Sequence, residues 1–202
     1  VLFFMVNTGG CFSMNLMKVA EKYIGKLNAT AGGTIISWGL VVEGAHAQPP
    51  VTVQVEWMIY GACTPRVYTV VPKDICTGYF SWHPYEDAVS PFRTELNAPL
   101  PVRYPWLKSS TVKLNLNRLP VQPVIQRWGS PARGKVPSVF ASRCSFVAKV
   151  TLDGYFAYFK GYDTWVPVPI TALASRTDGL VEQNGKLTYY VWGTYSGLMM
   201  CY

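Results

Sequence analysis

Between Ser13 and Asn28 the apolar residues Leu16, Met17, Val19, Ala20, Tyr23, Ile24 and Leu27 recur at spacings of three and four. Lys18, Glu21, Lys22 and Lys26 fall between them. The spacing predicts one short amphipathic helix with Ser13 as N-cap, stopped by Gly32 and Gly33. A helix with one apolar stripe has to lie on something apolar, and the end of a sheet is the usual support.

After this helix the period changes to two. Thr34 to Glu43 and Val51 to Tyr60 are rich in β-branched and aromatic residues. In the second, Val51, Val53, Val55, Trp57 and Ile59 alternate with Thr52, Gln54, Glu56 and Met58, which predicts a strand with one apolar face. Further strands are expected at 66–71, 111–117, 145–152, 155–158 and 186–192, each bounded by Gly, Pro, Asn or Asp. The proline-rich connections 81–107 and 120–137 carry aromatic residues and are expected to pack on neighbouring subunits. With no repeat and no shift in composition, residues 1–202 are expected to form one domain. The fold class is all-β: an eight-stranded antiparallel jelly-roll sandwich with one short early helix.

Composition adds a reason to expect assembly. Half of the residues are hydrophobic and only 14% are charged, against roughly 25% in an ordinary soluble domain. A chain so short of charge is expected to cover much of its surface with partner subunits, in homo- or hetero-oligomers. The net charge of +7 favours anionic partners, and non-specific contact with RNA through Arg127, Arg133, Lys135 and Arg143 is one such expectation. Membrane insertion is not expected, because no stretch reaches the ~20 apolar residues of a helical span. The apolar start, Val1 to Val6, lacks the basic region and cleavage site of a signal peptide and reads as a strand. A first residue other than Met suggests release from a longer precursor.

Candidate chemistry is sparse. The five cysteines, Cys11, Cys63, Cys76, Cys144 and Cys201, are odd in number and hold no CxxC pair, so reduced, mostly buried thiols and an intracellular site of folding are expected. With only His46 and His83 beside them, no zinc spacing arises. A chymotrypsin-like cysteine protease would need His46, an acid such as Asp74 or Glu86, and Cys144, but no glycine-rich turn surrounds Cys144 to stabilise an oxyanion. Glu86 and Asp87 are adjacent and point to opposite faces of an extended chain. A glycan-binding β-sandwich lectin would draw on Trp38, Trp57, Trp82, Trp106, Trp128, Trp165 and Trp192, which fall evenly along strands and loops, as core and interface residues do. No catalytic, cofactor-binding or metal-binding residue is therefore assigned, and no enzyme activity is expected.

The order MNLMKVAEKYIGKLNA (14–29), GGTIISWGLVVEG (32–44) and VTVQVEWMIYGA (51–62) resembles the jelly-roll capsid subunits of picorna-like viruses, most of all the small coat proteins of comovirus- and fabavirus-type plant viruses. The resemblance covers roughly the first third of the chain. Two strands normally precede the helix in that family, whereas here there is room for one. The resemblance implies a structural protein that assembles with sister subunits in the host cytoplasm into an icosahedral shell around a positive-strand RNA genome, located in the virion.

Overall fold

A computed structural model describes residues 14–41, 48–68, 75–86, 88–101, 111–118, 124–129, 139–161 and 164–201. The chain runs β1 (Met14–Asn15), α1 (Leu16–Thr30), β2 (Ser37–Gly39), β3 (Thr52–Tyr60), β4 (Thr64–Tyr68), β5 (Ile75–Pro84), β6 (Ala88–Val89), β7 (Glu95–Pro99) and β8 (Thr111–Asn115). It continues through β9 (Val124–Gly129), β10 (Val139–Asp153), β11 (Tyr155–Phe159), β12 (Trp165–Pro169), β13 (Val181–Gln183) and β14 (Lys186–Cys201). Ser13 lies outside the described residues. Asn15 caps the helix instead, its side-chain oxygen accepting from the Lys18 amide at 3.0 Å.

Strands β10 and β14 form the spine. They pair antiparallel from Val139 opposite Met200 to Leu152 opposite Leu187 without a break. At about 3.3 Å per residue the ladder is roughly 50 Å long. Strands β3 and β4 follow one another along the free side of β10, and β13 and β5 do the same along β14, with β9 beyond β5. The result is one long seven-stranded antiparallel sheet, accompanied by the sheet β12–β11–β2 and the pairs β7–β8 and β1–β6.

The all-β expectation with an early helix therefore stands, while the described strands do not bear out an eight-stranded jelly roll. A jelly roll divides short strands between two facing sheets. Here the two longest strands pair with each other along their whole length. The segment 81–107, expected as a connection, contains the end of β5 and all of β6 and β7, and β9 lies inside the expected connection 120–137.

Side-chain volume explains the register of the spine. Phe80, Trp82, Phe146 and Tyr195 are buried on its inner face, with Tyr195 stacked on Phe80 at 6.5 Å and tilted against Trp82 at 5.2 Å. Trp82 Nε1 donates to Tyr60 Oη at 3.1 Å, and burial pushes the Tyr60 phenol up to about 12. Gly193 and Gly197 face the same interior. A Cβ at Gly193 would strike the Phe146 ring, and one at Gly197 the Tyr195 hydroxyl, so these glycines leave room for the rings.

Helix α1 buries Leu16, Val19, Ala20 and Ile24, and Tyr23 meets Phe156 of β11 edge-on at 6.1 Å. The expectation that it covers a sheet is met by the small sheet β12–β11–β2. One expectation about sulfur fails: Cys63, just after β3, is disulfide-bonded to Cys144 of β10 across 81 residues. Cys11 lies outside the described residues.

Candidate functional site

A β-bulge decides what the outer face of the long sheet carries. Val150 pairs with Val55, but the next residue of β10, Lys149, pairs with Trp57, so Glu56 is the extra residue. One inserted residue inverts the alternation. Val53 and Val55 keep to the inner side with Met58, while Trp57 and Ile59 turn outward. Sequence alternation had placed all five on one face. Glu56 and Lys149 fix the bulge through an ion pair of 2.8 Å, which holds the Glu56 carboxyl below the usual carboxylate range and raises the Lys149 ammonium.

Three rings then lie side by side on the outer face. Trp57 is 6.1 Å from Tyr190, and Tyr190 is 6.3 Å from Trp192. They are 39%, 36% and 53% exposed, and Ile59 beside them is 55% exposed. The tryptophans are thus not evenly spread: Trp82 is in the core and Trp57 and Trp192 share a surface row. Trp106 lies outside the described residues.

Along the same face the sheet becomes polar. Arg143, Ser196 and Ser81 are register partners across β10, β14 and β5. Ser81 and Ser196 hydroxyls meet at 2.9 Å, His83 Nε2 lies 3.2 Å from Ser81 Oγ, and Thr64 Oγ1 donates to the Arg143 carbonyl at 3.4 Å. Thr64, Ser81, Arg143 and Ser196, with Tyr79 and Leu198, line an open recess of about 530 Å³.

The opposite, inner face is covered in part by the hairpin β7–β8. Glu95 pairs with Asn115 and Pro99 with Thr111, and among the described strands β7 and β8 form a two-stranded sheet of their own. Ala98, Leu100, Val112, Leu114 and Leu116 are buried, whereas Glu95, Asn97, Thr111 and Lys113 are exposed, with Lys113 and Glu95 ion-paired at 2.8 Å. At its foot the buried Thr94 hydroxyl donates to Asn117 Oδ1 at 2.8 Å, and Asn117 Nδ2 donates to the Phe92 and Ser90 carbonyls.

The protease candidates do not come together. Cys144 is bonded to Cys63, so it offers no thiolate, and Glu86 is exposed in a bend; His46, Asp74 and Asp87 lie outside the described residues. Of the basic group, Arg143 is on the outer face and Arg127 is placed by its backbone in β9, while Arg133 and Lys135 lie outside the described residues.

No family model matches the chain, and no curated protein matches it. Among solved structures it is similar to a non-toxic crystal protein from Bacillus thuringiensis, at 10% identity over 94% of both chains and a TM-score of 0.48. It is similar also to a chain of the Cry23Aa1 and Cry37Aa1 binary protein complex, at 8% identity over 92% of this chain and 85% of that one, TM-score 0.47. The Mpp75Aa1.1 beta-pore-forming protein from Brevibacillus laterosporus follows at 11% identity, 85% and 69% coverage and a TM-score of 0.31. These are crystal and pore-forming proteins, with no capsid subunit among them. The expected capsid function and virion location are corrected accordingly, and neither the protease nor the lectin gains support.

Proposed function

We propose that the chain is a non-enzymatic, toxin-like β-protein that engages a lipid surface, self-associates there, and sends the hairpin β7–β8 into the bilayer. The observation that carries this reading is the hairpin itself: an alternating two-stranded unit, apolar on one face and polar on the other, whose strand ladder, among the described residues, runs within the pair. That alternation is what a barrel strand needs, with one face to lipid and one to water. A membrane-crossing strand takes about 9–11 residues, and the chain between Glu95 and Asn115 is long enough for two such strands and a tight turn. No helix among the described residues is long and apolar enough to cross a membrane, which leaves strands untouched. The row Trp57, Tyr190 and Trp192 suits the headgroup level, where amphipathic rings concentrate.

Dye release from lipid vesicles tests the reading, with Leu96→Arg as the variant. Leu96 is only half-buried in the folded protein, but on the lipid side of an inserted strand an arginine costs about 2–4 kcal/mol near the midplane. Wild type should release dye as assemblies larger than a monomer form. L96R should keep its circular dichroism spectrum and lose at least about tenfold in release. Absence of release by wild type from both neutral and anionic vesicles, or equal release by L96R, defeats the reading.

A further inference from the structure

We infer that the recess around Arg143 is a binding site for a phosphomonoester. Arg143 stands exposed on the outer face, and among the described residues it makes no ion pair and no acidic residue lines the recess with it. A guanidinium offers a planar fork that grips two oxygens of a phosphate. Around it the cross-strand register sets further hydroxyls: Ser196 directly opposite on β14, Ser81 next on β5, Thr64 on β4, and Tyr79 along the same wall.

The number of donors selects the ligand. A carboxylate has two oxygens, which the guanidinium alone satisfies. A phosphomonoester has three free oxygens, so the third falls to the hydroxyl pair. Ser81 and Ser196 already bond each other at 2.9 Å, and His83 Nε2 reaches Ser81 Oγ at 3.2 Å, so the pair is held in place before a ligand arrives. Leu198 supplies an apolar wall, and the recess of about 530 Å³ leaves room for the group that carries the phosphate.

The phosphate has two possible sources, a free small molecule or the headgroup of a lipid. Only the second rests on the membrane reading above. Along β14, Ser196 lies four steps beyond Trp192, about 13 Å in an extended strand, so a flat surface could meet the ring row and the recess together.

Calorimetric titration with inorganic phosphate and with glycerol 3-phosphate tests the site without any membrane, and flotation with phosphatidic acid vesicles tests it with one. Phosphatidylglycerol vesicles of equal charge density supply the diester control. We expect the phosphomonoester to be preferred over the diester, and Arg143→Gln to weaken its binding at least about tenfold, with Ser196→Ala weakening it several-fold and Lys160→Gln leaving it unchanged. Binding of the soluble probes identifies a free ligand, and binding only in vesicles identifies the lipid; either supports the site. Equal binding by R143Q, or no preference for monoester over diester, overturns it. Because the readout is binding and not leakage, loss of dye release with intact phosphate binding counts against the hairpin alone.

Discussion

The spine β10–β14 and the hairpin β7–β8 are built from the same alternating pattern but held in different ways. Both bury every second side chain and leave most of the others at least partly exposed. The spine strands, however, have hydrogen-bonded neighbours on both sides and a disulfide to the segment after β3, whereas among the described strands β7 and β8 pair with each other alone. A strand with ladders on both sides can leave only if the sheet opens. A hairpin attached by its apolar face and its foot can leave as a unit, at the free energy of a local opening. Alternation therefore says which residues are inside, and the ladder says which of them can come out.

The largest expected effect lies in the spine. Converting Cys63 and Cys144 together to Ser releases a constraint across 81 residues, which the chain-entropy model values at about 4–5 kcal/mol. Urea unfolding should show that loss, while hydrogen exchange in 95–115 relative to the spine should slow or stay level. Faster exchange confined to the hairpin would mean that the two regions are not independent.

A smaller effect belongs to the hairpin's foot. Asn117→Ala removes the shorter of two acceptors of the buried Thr94 hydroxyl and the amide donor to the Phe92 and Ser90 carbonyls, and should cost about 1–3 kcal/mol. Exchange of hairpin amides should accelerate first, and dye release should start at lower protein concentration. Uniform acceleration across β10 and β14 would join the two regions into one cooperative unit.

The smallest effect concerns the bulge. Glu56 has its carboxyl pKa lowered by Lys149, so the pair stabilises the fold above the usual carboxylate range, and that stabilisation fades as pH falls through the lowered value. Glu56→Gln should flatten this acid limb in thermal melts taken from pH 7 down to pH 3, by lowering the melting temperature at pH 7 and leaving that at pH 3 little changed. An acid limb of unchanged slope in E56Q would assign it to other carboxylates.

Helix α1 was legible because its apolar spacing depends only on neighbours in sequence. The inner half of β3 was legible for the same reason, through Val53 and Val55. Trp57 and Ile59 were misplaced, because the bulge at Glu56 comes from pairing with Lys149, distant in sequence. The second half of β14 was hidden by Gly193 and Gly197, which look like breakers and are instead spaces for Phe146 and Tyr195. Nor does an odd cysteine count reveal a pair 81 residues apart. The capsid resemblance rested on the order of a helix and two strands, and such order does not determine which strands become neighbours: β10 and β14 pair directly, with β11 to β13 intervening in the chain. The outer recess was missed because Ser81, Arg143 and Ser196 meet only across three strands.

The extra residue at Glu56 makes surface character a matter of counting as well as of composition. Deleting that single codon would restore an even beat to β3 and still leave the indole outside, because Trp57 already holds the register position opposite Lys149. A paired strand can thus gain or lose a residue in a single genetic step while its neighbours keep their faces, because the bulge absorbs the change.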